Sequence, residues 1–172
     1  MMAGLYVIPL SGLKDGRHTY NFEIGESFFA QFEDSEISKG DLAAIVELDK
    51  HSTHLDLRFH ITGYVETGCD RCLEIYRQPV ESDNRLLVKI GSKWDDEDPE
   101  MITIPTDEHE LDLIQYLYEF ISLSLPIQRI HPDDAEGNST CDPEMIRKLN
   151  EHAAPGDNDP RWDELKKLMN KN

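Results

Sequence analysis

The chain has 172 residues, of which 17 are lysine or arginine and 35 are aspartate or glutamate, so its formal net charge at pH 7 is −18. This length fits one domain with a short appendage and is enough to bury a hydrophobic core. The negative charge argues against extensive binding to a phosphate backbone, because such binding depends on many basic side chains. Residues 1–94 contain 10 basic and 15 acidic side chains, whereas residues 95–172 contain 7 and 20, so the acidity belongs mostly to the C-terminal half.

The N-terminus lacks the features of an export signal. No positively charged residue precedes the apolar run between Met1 and Leu10, and Pro9 interrupts that run. No segment approaches the roughly 20 apolar residues that span a bilayer. We therefore expect a cytoplasmic protein whose three cysteines are reduced thiols, either inert, metal-bound or redox-active.

The N-terminal half has the patterns of β-strands. From Leu55 to Ile61, apolar residues occupy the odd positions and polar residues the even ones, which predicts a strand with one buried and one solvated face. Similar runs joined by short polar links predict an α+β fold with an antiparallel β-meander, as a sheet or a partial barrel. These runs lie at residues 5–8, 18–24, 42–48, 73–77 and 85–90.

The C-terminal half has helical patterns. The acidic run 95–100 is typical of a solvated loop, and residues 101–104 predict an edge strand. Apolar residues at spacings of three and four predict a helix over about 108–125 that covers the sheet. Short helices are predicted from Pro143 and over 161–169. We predict one domain over residues 1–150, followed in 151–172 by a linker and a short amphipathic helix.

The turn Cys69-Asp70-Arg71-Cys72 is the most specific chemical feature. Two thiolates two residues apart can bind one zinc ion, which then needs two more nitrogen or sulfur ligands. Cys141 and His131 can supply them, although 58 residues separate Cys72 from His131 and nine separate His131 from Cys141. Wide spacing is tolerable because closure entropy grows slowly with loop length. A structural zinc site that connects the C-terminal loop to the sheet therefore stands beside two alternatives, inert thiols and a redox pair.

Two further groups of residues are candidates for binding. The segment from Arg58 to Lys93 has six basic and five acidic residues, so a polyanion could approach here. Its candidate contacts are Arg58, Arg71, Arg77 and Arg85. Beyond the linker, Trp162, Leu165 and Leu168 share one helix face, which could dock into a partner groove or pack on the chain's own core.

Strand residues His54, Asp56, Arg58 and His60 also share one face and include possible bases. Clean alternation favours a solvated sheet face over an active site. The sequence has no P-loop, GxGxxG, GxSxG, HExxH or EF-hand pattern. We therefore do not expect an ordinary enzyme.

Three motifs in a fixed order resemble the YceD family of large ribosomal RNA subunit accumulation proteins. They are Gly68-Cys69-Asp70-Arg71-Cys72-Leu73, then Glu119 to Pro126 followed by His131 and Cys141, and finally Asp159-Pro160-Arg161-Trp162 with Leu165 and Leu168. The family's motif residues map here to Cys69, Arg71, Cys72, Leu125, Pro126, His131, Cys141 and Trp162.

The resemblance implies a non-catalytic accessory factor in ribosome biogenesis that supports 23S ribosomal RNA processing or accumulation and large-subunit assembly. The acidity of the chain favours a protein partner with a basic surface, such as a ribosomal or processing protein. Any contact with 23S RNA is then at most local. Two alternatives remain open. One is a direct RNA-binding protein that uses the near-neutral sheet surface, and the other is a zinc-containing interaction module unrelated to ribosomes.

Overall fold

The computed structural model describes residues 6–33, 35–98 and 101–152. These residues form an α+β fold, as predicted, with helices mostly in the C-terminal part. The strands are β1 (Val7–Pro9), β2 (Gly16–Ile24), β3 (Lys39–Lys50), β4 (His54–Gly68), β5 (Ile75–Gly91), β6 (Asp95–Asp98), β7 (Met101–Pro105) and β8 (Glu110–Asp112), and the helices are α1 (Glu26–Phe29), α2 (Ile114–Ser124) and α3 (Pro143–His152).

The main sheet has six strands in the order β2-β3-β4-β5-β7-β6, and β1 pairs with β8 in a second, small sheet. Strands β2 to β5 form the predicted antiparallel meander. The described residues do not close into a barrel, because β2 and β6 each have one strand neighbour. No helix in the described ranges is long and apolar enough to cross a membrane.

The alternation in β4 places one face of the sheet in the core. Leu55, Leu57, Phe59 and Ile61 are each at most 1% exposed. Helix α2 covers this face through Leu117 and Ile121, both fully buried. Burying such a side chain contributes about 1.5–3 kcal/mol, so these contacts hold the short helix in place.

Two strand predictions were wrong in extent. Residues 75–77 of the first run and the whole run 85–90 belong to one continuous strand, β5, with Pro79 in its interior, whereas residues 73 and 74 precede the strand. Proline is tolerated there because β7 joins β5 only from Leu87 onward, so Pro79 has a strand partner on one side alone. Strand β7 also runs parallel to β5, which departs from a purely antiparallel meander.

The predicted start of the long helix and the predicted acidic loop were also wrong. Residues Glu110–Asp112 form β8 against β1, and α2 begins only at Ile114. The Asp112 carboxylate accepts a hydrogen bond from the Ile114 N–H at 2.9 Å and so satisfies a free donor at the helix start. Residues Asp95–Asp98 form the edge strand β6 beside β7 rather than a loop.

Helix α3 begins at Pro143, as the sequence predicts, and extends to His152. The Asp142 carboxylate caps it by accepting a hydrogen bond from the Glu144 N–H at 3.0 Å. The predicted helix 161–169, with Trp162, Leu165 and Leu168, lies outside the described residues.

Candidate metal centre

The cysteine knuckle, residues 69–72, connects β4 to β5. Its backbone is closed by two hydrogen bonds of 2.8 Å, from the Cys69 N–H to the Glu74 carbonyl and from the Leu73 N–H to the Cys69 carbonyl. Leu73 has a φ of 66°, a left-handed conformation that costs a leucine about 1–2 kcal/mol. Since Cys69 continues the inward-facing odd positions of β4, its thiol points into the protein and is 1% exposed.

The segment that carries His131 is hydrogen-bonded to this knuckle. The Asp70 N–H donates to the Arg129 carbonyl, and the Arg129 N–H donates to the Asp70 carboxylate, both at 2.7 Å. The Arg129 guanidinium also donates to Glu36 at 2.7 Å. His131, two residues after Arg129, is thereby held next to the cysteines.

The loop 131–141 folds back on itself and brings Cys141 to the same place. Asp133 and Ser139 form an antiparallel bridge, and the Thr140 hydroxyl donates to the Pro132 carbonyl at 2.6 Å. The Asp134 carboxylate accepts hydrogen bonds from N–H groups within the loop, which hold its pKa below the usual range. Because the loop folds back in this way, His131 and Cys141 lie close together in space despite the nine residues between them in the sequence.

Cys69, Cys72, His131 and Cys141 converge, and we call this candidate metal-binding group the metal centre. Their ligand atoms all lie within 4.8 Å of one another. The Sγ atoms of Cys69 and Cys141 are 3.7 Å apart, and Cys72 Sγ lies 3.4 Å from His131 Nδ1. In a tetrahedral zinc site with Zn–S bonds of about 2.3 Å and Zn–N bonds of about 2.0 Å, these separations are about 3.8 and 3.5 Å. Three sulfurs and one imidazole nitrogen at this spacing fit zinc.

The electrostatics differ between the two knuckle thiols. Burial alone would raise the pKa of Cys69, but N–H groups of Cys72, Arg71 and His131 donate to its sulfur and lower the pKa to about 6. Burial raises the pKa of Cys72, and the neighbouring cysteines add to that shift. A thiolate at Cys69 near neutral pH is the form that binds a metal.

Tyr76 and helix α3 enclose the metal centre. The ring centroids of Tyr76 and His131 lie 4.8 Å apart. Burial raises the pKa of the Tyr76 hydroxyl. Met145 and Ile146 of α3 pack against the same cluster, which is separate from the main core. Neither Cys69 nor Cys72 begins a helix, so the feature that activates thioredoxin-like cysteines does not occur at the knuckle.

Three of the four candidate arginines lie on the outward face of the sheet, at exposed positions of β4 and β5. Arg85 donates two hydrogen bonds to Asp56 at 2.8 and 2.7 Å. Arg77 lies 3.7 Å from Glu66 and 4.4 Å over the Tyr64 ring. Arg58 in β4 lies opposite Glu47 of β3 on one side and opposite Arg85 of β5 on the other.

Carboxylates beside these arginines offset their positive charge. Arg71 is separate from them, since it extends from the knuckle, where its guanidinium lies 3.4 Å from the Ser139 hydroxyl. On the same outward face, His60 pairs with Asp83 at 2.8 Å. This pairing agrees with a solvated sheet face at His54, Asp56, Arg58 and His60.

Sequence reasoning missed the residues that hold the metal centre together, above all Asp70, Arg129 and Tyr76. Asp70 lies inside the cysteine motif, so its position was visible, but its partner is 59 residues away. No periodicity or motif in the sequence indicates that contact. The left-handed conformation of Leu73 was likewise unexpected, because glycine is the usual residue there.

Comparison with known families gives one match. The model of the family described as large ribosomal RNA subunit accumulation protein YceD matches residues 57–169, about two thirds of the chain. The matched region includes the whole metal centre. No curated protein and no solved structure matches the chain.

Proposed function

The chain belongs to the YceD family, and from this membership we propose that it is an accessory factor in ribosome biogenesis that supports 23S ribosomal RNA processing or accumulation and large-subunit assembly. The observation that carries the proposal is the family match over residues 57–169, which contains both the β4–β5 knuckle and the loops that meet it. The family's own description, an accumulation protein of the large ribosomal RNA subunit, gives the direction of the effect.

The composition of the metal centre supports a non-catalytic role. Zinc bound by four protein side chains is typical of structural sites, whereas catalytic zinc keeps one position for water or substrate. The three cysteines and His131 supply all four donors. In this proposal, zinc connects the sheet to the loops that follow α2, and the protein acts through its surfaces.

The charge of the chain supports a protein partner with a basic surface. At −18, the chain is attracted to ribosomal or processing proteins rich in lysine and arginine and is repelled by RNA. The terminal segment with Trp162, Leu165 and Leu168 is a second proposed contact. Recovery of partners with and without the residues from Asp159 onward tests it, because loss of a partner on truncation is the expected result.

Depletion of the protein tests the proposed function directly. We expect the ratio of 23S to 16S ribosomal RNA to fall and large-subunit particles to decrease, with recovery when the wild-type chain is expressed again. Quantitative RNA electrophoresis and sucrose-gradient profiles measure both. A 23S:16S ratio that stays unchanged after complete depletion would contradict the proposal.

Direct RNA binding is the second candidate, since Arg58, Arg77 and Arg85 share the outward face of the sheet. Titration of the purified chain with 23S fragments at low salt tests it. Binding that weakens steeply with added salt would support this candidate, because each phosphate contact releases counterions. The pairing of Arg77 and Arg85 with carboxylates leads us to expect little binding.

A further inference from the structure

Two sulfur atoms of the metal centre are close enough to react with each other. Cys69 Sγ and Cys141 Sγ lie 3.7 Å apart. A disulfide joins its sulfur atoms at about 2.0 Å, so a shift of less than about 2 Å would allow the bond to form. Both side chains are free thiols in the structure. Oxidation is therefore a second chemistry open to the residues that fit zinc.

The backbone around each cysteine indicates which one can move. Cys69 is fixed by the hydrogen bonds that close the knuckle, from its own N–H to the Glu74 carbonyl and from the Leu73 N–H to the Cys69 carbonyl. Cys72 lies inside the same closed turn. Cys141 lies between the loop 131–141 and α3, outside every strand and helix. Cys141 is therefore better placed than Cys72 to approach the sulfur of Cys69.

A cavity beside Cys69 gives a small oxidant access to the metal centre. The cavity has a volume of about 250 Å³, is open to solvent, and has Gly68 and Cys69 in its wall. Hydrogen peroxide is little larger than water, which occupies about 30 Å³ in the liquid, so it fits this space. Cys69 itself is only 1% exposed, which excludes bulky oxidants such as a disulfide-bonded peptide.

The hydrogen bonds of Cys69 suit it to attack the oxidant. The N–H groups of Arg71, Cys72 and His131 donate to its sulfur. Such donors stabilise the negative charge of a thiolate, which is the form that reacts with peroxides. Because Cys69 also borders the cavity, it is the cysteine that meets the oxidant first.

We propose that Cys69 is an oxidation site for hydrogen peroxide, and that the reaction joins it to Cys141 and releases zinc. The Cys69 thiolate attacks one peroxide oxygen, the O–O bond breaks and hydroxide leaves, so that Cys69 becomes a sulfenic acid. The Cys141 thiolate then attacks the Cys69 sulfur, the S–S bond forms and a second hydroxide leaves. Two electrons pass from the two sulfurs to the peroxide, and the two hydroxides take up two protons to give water.

Loss of zinc follows from the donor set. The disulfide removes two thiolates and leaves only Cys72 and His131, whereas a structural zinc ion needs four donors. The loop 131–141 then stays joined to the knuckle through Cys141 alone, without the metal bond to His131. This inference rests on the zinc site of the proposed function and is independent of the ribosomal role.

Peroxide treatment of the zinc-loaded full chain, followed by tryptic peptide mapping, tests the inference. Trypsin places the three cysteines in three different peptides, because it cleaves after arginine. The relevant arginines are Arg58, Arg71, Arg77, Arg129 and Arg147. We expect peptides 59–71 and 130–147 to be linked and Cys72 to remain a free thiol. An indicator dye should detect about one released zinc ion per disulfide, and dithiothreitol with added zinc should restore the original form.

A change in the cavity wall tests the route of access. Gly68→Val adds bulk to the cavity, and we expect it to slow disulfide formation severalfold. A Cβ at Gly68 meets no atom within 4 Å, and valine suits a strand, so the fold should tolerate the change. The matched control is Gly25→Val, outside the metal centre, where a Cβ also meets no atom within 4 Å and the backbone is extended. Rates are measured on zinc-loaded and zinc-free chains, so the comparison does not depend on zinc binding by a variant.

Several results would overturn the inference. They are a disulfide that includes Cys72, a link between two chains, sulfinic or sulfonic acid at Cys69 without a disulfide, thiols that stay reduced, and equal rates in Gly68→Val and Gly25→Val. If zinc binds but the thiols do not react, the zinc site stands and the oxidation site is wrong. If the chain binds no added zinc but peroxide still joins Cys69 to Cys141, the zinc site is wrong and the oxidation site stands.

Discussion

Asp70 connects the two chain segments that supply most of the metal donors. Its backbone and side chain exchange hydrogen bonds of 2.7 Å with Arg129, two residues before His131. We expect Asp70→Ala to lower zinc affinity roughly 10–100-fold, because groups that orient ligands typically contribute that much. Competition with a zinc chelator measures the effect. Glu74→Ala, an exposed change beside the knuckle, should leave the competition curve in place, and equal curves for the two variants would contradict the role of Asp70.

The pair of Asp56 and Arg85 predicts a pH dependence. The hydrogen bonds from Arg85 lower the pKa of Asp56, so the pair stabilises the fold above the ordinary aspartate pKa of about 3.9. That contribution disappears as pH falls through the lowered folded-state value. We expect Arg85→Gln to reduce the free energy of unfolding at pH 7, and to reduce it progressively less toward acid pH.

Urea unfolding at a series of pH values measures this difference. Lys89→Gln, which removes an exposed positive charge from the same strand, should show a smaller loss without the acid dependence. If the loss of unfolding free energy in Arg85→Gln stays constant as the pH falls below the pKa of free aspartate, the pair does not act through the Asp56 charge.

For the four side chains of the metal centre, the sequence indicated that they could meet but not which contacts hold them in place. Donor chemistry selects Cys69, Cys72, His131 and Cys141, because zinc prefers sulfur and imidazole nitrogen. The supporting contacts of Asp70 with Arg129 use backbone groups, which every residue carries. They depend on how the β4–β5 turn approaches the segment after α2, and no local pattern records that approach.

Gly63 in β4 is a position at which neither the backbone conformation nor the surrounding space suits a side chain. Its φ is 145°, and an added Cβ would lie 2.2 Å from the Asp41 carbonyl oxygen in β3. We expect Gly63→Ala to lower the free energy of unfolding by about 2 kcal/mol or more, since both the backbone conformation and the contact are unfavourable. Gly68→Ala in the same strand meets no atom within 4 Å and should change stability by about 0.5 kcal/mol or less. Equal stabilities in urea would contradict this reading of β4.

Sequence periodicity was sufficient to predict strand β4 but not the start of helix α2. Strand β4 was predicted because strict alternation over Leu55–Ile61 has one structural meaning. The start of α2 was predicted wrongly, because Leu111 fits both the helical pattern and a buried strand position opposite Ile8. The pairing with β1, more than 100 residues earlier in the chain, decides between them.

For the whole molecule, the metal centre forms a second, smaller core. The cluster of Cys69, Cys72, Tyr76 and Cys141 is separate from the main core between the sheet and α2, and α3 packs on this cluster rather than on the main core. Removal of zinc should therefore increase hydrogen exchange in residues 126–152, whereas β3 and β4 keep their protection. Exchange measured by mass spectrometry with and without chelator checks this. A uniform increase over the whole chain would show that the two cores unfold together.

The zinc content of the full chain, purified without chelator and measured by native mass spectrometry, tests the metal centre most directly. We expect about one zinc ion per wild-type chain, and almost none in Cys69→Ser, because loss of a thiolate leaves three donors for a four-coordinate ion. His109→Gln, which changes a histidine outside the metal centre, should retain the ion. Wild-type protein with fully reduced cysteines and no bound zinc, also after zinc is added, would contradict the metal centre.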